Sequence, residues 1–150
     1  MATGVGIHER IELLRLVWLF SECTDEELAR IASIARPRPA EPGTELIKQG
    51  ETGDEFFVVL EGEARATIDD AVVEDLGPGS FFGEMALMDG GERAATVTTV
   101  SPAHLLVLGR AEFNEMLEAT LPSVAPKLLS VVGARVRVRD EHEGRPPFGY

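Results

Sequence analysis

Phe81-Phe82-Gly83-Glu84-Met85-Ala86-Leu87-Met88-Asp89-Gly90-Gly91-Glu92-Arg93-Ala94-Ala95-Thr96-Val97-Thr98-Thr99-Val100 is the stretch whose reading decides the fold. It sets a glutamate, Glu84, an arginine, Arg93, and several small residues on a short helical turn between two strand-like runs. Those are the residue types that hold a small phosphorylated sugar. A carboxylate such as Glu84 accepts from a ribose hydroxyl, and a guanidinium such as Arg93 forks onto phosphate oxygens. Gly83, Ala86, Ala94 and Ala95 leave backbone N–H groups uncovered near a helix N-terminus, where an anion is favoured.

Outward from this stretch the texture is that of short strands. From Glu41 to about Leu108, glycine or proline recurs every several residues, at Gly43, Gly50, Gly53, Gly62, Gly77, Pro78 and Gly79. Ala64, Ala66 and Ile68 alternate with Glu63, Arg65 and Thr67, the pattern of a half-buried strand. Thr96 to Val100 and Leu105 to Leu108 read as strands joined at Ser101-Pro102. Many short strands with regular turns predict a barrel or sandwich.

Helical periodicity flanks the strands. Ile7, Ile11, Leu14 and Trp18 mark an amphipathic N-terminal helix, with Trp18 on its apolar stripe. Thr24 and Glu27 form a capping box opening a second helix, whose apolar face is Leu28, Ile31, Ala32 and Ala35. Pro37 and Pro39 end it. After Gly109 the helical period returns with Phe113, Met116 and Leu117, breaks at Pro122, and resumes with Leu128, Val131, Val132 and Arg135. Val136 and Val138 alternate with Arg135, Arg137 and Arg139, which is also a strand pattern, and Gly133 weakens a helix.

The chain has 150 residues, a formal net charge of −12 and one cysteine, Cys23. One domain is the expectation at this length. An acidic balance argues against non-specific DNA or anionic membrane binding. A disulfide framework or cysteine metal cluster is excluded within the chain. Cys23 precedes a helix start, a position that lowers a thiol pKa, yet an inert thiol is expected. There is no basic n-region with a cleavage site, and no apolar run long enough to cross a bilayer. No Ser-His-Asp set, paired carboxylates in an apolar cleft or metal-ligand spacing points to an enzyme.

Phe82-Gly83-Glu84-Met85-Ala86 and Arg93-Ala94-Ala95-Thr96-Val97 together resemble the phosphate-binding cassette of the cyclic nucleotide-binding domain, F-G-E-hydrophobic-A, a spacer, then R-A/S/T-A-T/S-V. Pro42-Gly43-Thr44, Ile47 to Glu51 and Gly53 to Gly62 follow the same family's glycine-punctuated strands, so the resemblance runs from about Leu19 to Arg139. The family includes the sensor domains of protein kinase A regulatory subunits and of catabolite activator protein. It implies an α+β, mainly β fold. This is an antiparallel β-roll, like a jelly-roll barrel, with N-terminal helices (7–35), roll (36–108), a short cassette helix and C-terminal helices (110–140). Residues 1–143 then form a single domain, and 144–150 a flexible tail.

The resemblance further implies a non-enzymatic sensor of a cyclic nucleotide. Phe82, Gly83, Glu84, Met85, Ala86, Arg93, Ala94, Ala95 and Thr96 line the ligand, with Arg93 on the cyclic phosphate and Glu84 on the ribose 2′-hydroxyl. Family members that prefer cGMP often carry Thr after the arginine. Ala94 offers no hydroxyl, so cAMP is the expected ligand, cGMP a weaker one, and no metal is required. Val58, Leu60 and Val73 are candidates for the wall against the base, although core packing is their default. Many members cover the base with an aromatic from the C-terminal helix. No aromatic occurs here between Phe113 and Phe148, so Arg135, Arg139, Tyr150 or an aliphatic pair, Leu128 and Val132, stand as alternative lids. Binding is expected to reposition the C-terminal helices and signal to an effector protein, in the cytoplasm, from a monomer or a homodimer joined by the last helix. Two alternatives are a fragment of a transcription regulator that lacks its DNA-binding domain and a scaffold β-roll that binds nothing.

Overall fold

The computed structural model describes residues 6–84, 87 and 92–143. Helix α1 spans Ile7–Arg15, a 3₁₀ turn follows at Trp18–Phe20, and α2 spans Asp25–Ile34. The capping box is formed as the sequence predicts. Thr24 Oγ1 accepts from the Glu27 N–H at 3.1 Å, and Glu27 Oε1 accepts from the Thr24 N–H at 2.8 Å. A cap of this kind stabilises by ~1 kcal/mol.

Eight strands follow among the described residues: β1 Arg36–Ala40, β2 Glu45–Ile47, β3 Glu55–Glu61, β4 Ala64–Ile68, β5 Ala71–Leu76, β6 Phe81–Phe82, β7 Thr96–Thr99 and β8 Ala103–Gly109. They form two four-stranded antiparallel sheets, ordered β1-β8-β3-β6 and β2-β7-β4-β5. This is the mainly-β roll with helices at both ends. Period-two alternation sorts the side chains between two cores. Phe57, Val59, Ala66, Ile68, Phe82, Val97, Leu105 and Val107 fill the space between the sheets. Phe56, Val58, Leu60, Leu106 and Leu108 point the other way, onto Leu14, Phe20, Leu28 and Ile31 of the N-terminal helices and Phe113 and Met116 of the C-terminal one. Phe56 holds this outer core at its centre, 4.9 Å from the Phe113 ring and 5.7 Å from that of Phe81.

The last element, α3, runs Arg110–Glu143 and is jointed. Thr120 has non-helical angles (φ −127°, ψ 17°), and its Oγ1 donates to the Met116 carbonyl at 2.6 Å. Pro122 and Pro126 withhold backbone donors just beyond, which accounts for the joint. The expected break near Pro122 is therefore present, and the helix then continues past Val136 and Val138, so the helical of the two patterns wins there. Trp18 departs from expectation. It lies outside α1 in the 3₁₀ turn and is 50% exposed, while its neighbours Leu19 and Phe20 are buried. Lys127 Nζ sits 4.9 Å from its ring centroid.

Candidate functional site

Arg93 is held in place by its backbone. Its N–H donates to the Glu51 carbonyl at 2.7 Å, and its own carbonyl accepts from Gly50 at 2.8 Å. The side chain then turns inward and is 4% exposed. Nη1 donates to the Gly83 carbonyl at 3.0 Å and Nη2 to the Glu55 carbonyl at 2.8 Å. Two glycines make room for it. A Cβ on Gly53 would lie 2.6 Å from Arg93 Nε, and one on Gly83 (φ +94°) would lie 2.6 Å from the Glu55 carbonyl oxygen. Among the described residues no carboxylate lies within ion-pair distance of this guanidinium. Burial pulls its pKa down, against the fields of Glu55, Glu84 and Asp54. The result is a buried positive group, bonded to neutral carbonyls, with N–H donors to spare.

Glu84 follows Phe81-Phe82-Gly83, where β6 pairs with Phe57 and Val58 of β3. Phe82 stacks on Phe57 with ring centroids 4.8 Å apart. That anchor delivers Glu84 to a fully buried position, 0% exposed. Oε1 accepts from Arg135 Nη1 at 2.9 Å, and Oε2 has no hydrogen-bond partner among the described residues. Burial raises the Glu84 pKa, and Arg135 offsets only part of that effect. A buried carboxylate oxygen without a donor is costly to keep. It retains the capacity to accept one hydroxyl.

Arg135 comes from the far arm of α3. Besides Glu84 it donates from Nη2 to the Phe81 carbonyl at 2.5 Å, approaches Glu74 of β5 at 3.3 Å, and lies over the Phe81 ring at 5.1 Å. Burial pulls its pKa down, but Glu84 and Glu74 together outweigh burial and leave it raised. The structure thus brings Arg135 to Glu84, across 51 positions of sequence.

Phe82, Ala94 and Ala95 are buried in the core between the sheets. Thr96 Oγ1 accepts from the Gln49 N–H at 3.0 Å. Met85 and Ala86 lie outside the described residues, as does Tyr150. Val58 and Leu60 pack in the outer core and Val73 against the inner one, so the three do not form one wall. Leu128 is buried in the outer core and Val132 packs against it. The Cys23 thiol is pushed up to about 11, chiefly by burial, which leaves it protonated and inert. Sequence reasoning missed Glu74 and the carbonyls of Glu55 and Gly83. Among the described residues no helix is long and apolar enough to cross a membrane, and no group of three His, Cys, Asp or Glu side chains is placed to hold a metal ion.

The profile of the cyclic nucleotide-binding domain matches residues 37–120, and the chain belongs to that family. A cyclic nucleotide-gated potassium channel of Rhizobium etli is 37% identical over 114 residues, covering 76% of this chain and 32% of the channel. The cAMP-dependent protein kinase regulatory subunit of Yarrowia lipolytica is 34% identical over 122 residues, covering 77% and 32%. The chain therefore spans about a third of the length of these curated relatives. Among solved structures, cAMP-bound PfPKA-R superposes with a TM-score of 0.81 at 26% identity, covering 90% of this chain and 48% of that one. Catabolite activator protein of Thermus thermophilus superposes with a TM-score of 0.71 at 32% identity, covering 83% and 60%.

Proposed function

We propose that this domain is a cAMP sensor in which Arg93 binds the cyclic phosphate and Glu84 binds the ribose 2′-hydroxyl. One observation carries the reading. Two buried groups have unspent and complementary valence: among the described residues the Arg93 guanidinium lacks an anion and Glu84 Oε2 lacks a donor. A ribose-3′,5′-cyclic phosphate supplies one of each. The phosphate is drawn to a positive group in a low-dielectric site, where a charged hydrogen bond is stronger than in water. Phe82, Gly83, Met85, Ala86, Ala94, Ala95 and Thr96 shape the rest of the ligand cradle.

The methyl of Ala94 offers nothing to a guanine 2-amino group, which favours adenine. With no hydroxyl at position 94 a guanine 2-amino donor goes unpaired, a loss of ~0.5–1.5 kcal/mol for a neutral hydrogen bond. Binding then shifts the population of α3 positions and alters the surface an effector protein meets. The role is one of binding rather than catalysis, within a domain spanning residues 1–143. Isothermal titration with cAMP and cGMP tests the reading. Saturable one-site binding, tighter for cAMP, is expected; no heat with either nucleotide would refute it.

A further inference from the structure

Strand β5 is bulged, and the bulge turns a carboxylate toward the inside of the roll. Ala64 pairs with Leu76 and Ala66 with Glu74, but the next pair is Thr67 with Val72, so Val73 is the extra residue. Such a bulge breaks the alternation of faces and re-aims a side chain. Ala64, Ala66 and Leu76 are buried between the sheets, and Val73 packs against the same core. Cross-strand partners share a face, so Glu74 stands on the inner face with Ala66. The methyl of Ala66 leaves room beside the carboxylate. β5 is an edge strand, and the Glu74 side chain is 37% exposed.

The place of Glu74 follows the order of a cyclic nucleotide's parts. Arg93 lies in the field of Glu84, and Glu84 lies in that of Glu74. The Arg135 guanidinium reaches both carboxylates, at 2.9 Å to Glu84 and 3.3 Å to Glu74. In a 3′,5′-cyclic nucleotide the sugar stands between the phosphate and the base. With the phosphate on Arg93 and the 2′-hydroxyl on Glu84, the base extends past Glu84 toward Glu74.

We propose that Glu74 reads the base, its carboxylate accepting a hydrogen bond from the adenine 6-amino group. The inference rests on the cAMP reading above and names the residue that selects adenine. Arg135 approaches Glu74 Oε1 at 3.3 Å and Oε2 at 3.5 Å. That engages one lone pair on each oxygen of a group that has about four. Acceptor capacity therefore remains on this half-exposed side chain. An N–H donated to a carboxylate is stronger than one donated to a neutral acceptor. Guanine carries an oxo group at ring position 6, an acceptor that a carboxylate repels. Ala94 withholds a partner from guanine, and Glu74 offers one to adenine.

The test is calorimetric titration of cAMP, cGMP and the 6-deamino analogue of cAMP, purine riboside 3′,5′-cyclic phosphate. Each is titrated into the wild-type chain and into Glu74→Leu, with thermal melts as the folding control. Wild type is expected to bind cAMP about tenfold more tightly than the analogue, and Glu74→Leu to bind the two about equally. Equal affinity of wild type for cAMP and the analogue overturns the contact, and that comparison needs no variant. A wild-type preference retained in folded Glu74→Leu also overturns it, because another group then reads the amino group. So does a larger loss for cGMP than for cAMP in Glu74→Leu, which places guanine N–H donors on the carboxylate. In the first two cases the cAMP reading of the site stands. If wild type binds neither cAMP nor cGMP, that reading fails and the base contact with it.

Discussion

Arg93→Lys separates the structural duty of this side chain from its proposed duty to ligand. The guanidinium serves two buried carbonyls at once, Gly83 at 3.0 Å and Glu55 at 2.8 Å. An ammonium on a flexible stem is a point charge and cannot hold both directions while also presenting a fork to phosphate. One carbonyl left without its donor costs ~1–3 kcal/mol of stability. Loss of one charged hydrogen bond to the cyclic phosphate costs ~1.5–3 kcal/mol of binding, which is about a tenfold to hundredfold weaker dissociation constant. The assay is calorimetric titration of cAMP into wild type and Arg93→Lys, with thermal melts confirming that both are folded at the titration temperature. A lower melting temperature together with the affinity loss is expected. A folded Arg93→Lys protein with wild-type affinity for cAMP would refute the assignment of the phosphate to Arg93, whatever the melt shows.

Three further outcomes follow from the same geometry. Glu84→Gln is expected to weaken binding of cAMP but hardly change binding of its 2′-deoxy analogue; an equal loss for both ligands in parallel titrations contradicts the ribose contact. Gly53→Ala places a methyl 2.6 Å from Arg93 Nε and 2.7 Å from Nη2. It is expected to displace the guanidinium, lower stability by ~1–3 kcal/mol as strain of that size does, and weaken nucleotide binding, as read by denaturant melts and titration. The buried Glu84 carboxyl, its pKa raised by burial, keeps its proton in the folded state at pH values where the unfolded chain has released it. Stability therefore falls as pH rises from the ordinary glutamate range through the raised value. Denaturation midpoints across that range are expected to show a slope in wild type that is smaller in Glu84→Gln; identical slopes would contradict the sign.

Much of this was legible in local patterns. Thr24 and Glu27 specify their box three residues apart, and Ala64, Ala66 and Ile68 specify which face of β4 is buried, because helix caps and strand faces are set by neighbours in sequence. The resemblance to the family was legible for the same reason, since Phe82-Gly83-Glu84 and Arg93-Ala94-Ala95 lie close together in sequence. The contacts that were not legible are long-range. Glu74 sits on the edge strand β5 beside exposed Asp75, and nothing local distinguishes it from a solvated charge until α3 folds back and presents Arg135. Trp18 continued a helical period on paper, yet the helix ends at Arg15 and the chain turns so that Leu19 and Phe20, not Trp18, enter the core. Val58, Leu60 and Val73 looked like one apolar group, but the first two face the outer core against the helices and the third packs against the core between the sheets.

The most direct measurement of the central claim is a crystal structure of the domain grown with cAMP. The account predicts the cyclic phosphate oxygens on the Arg93 guanidinium and the 2′-hydroxyl on the Glu84 carboxylate. Nucleotide absent from the roll at saturating cAMP, or bound there with Arg93 turned away from its phosphate, would contradict it.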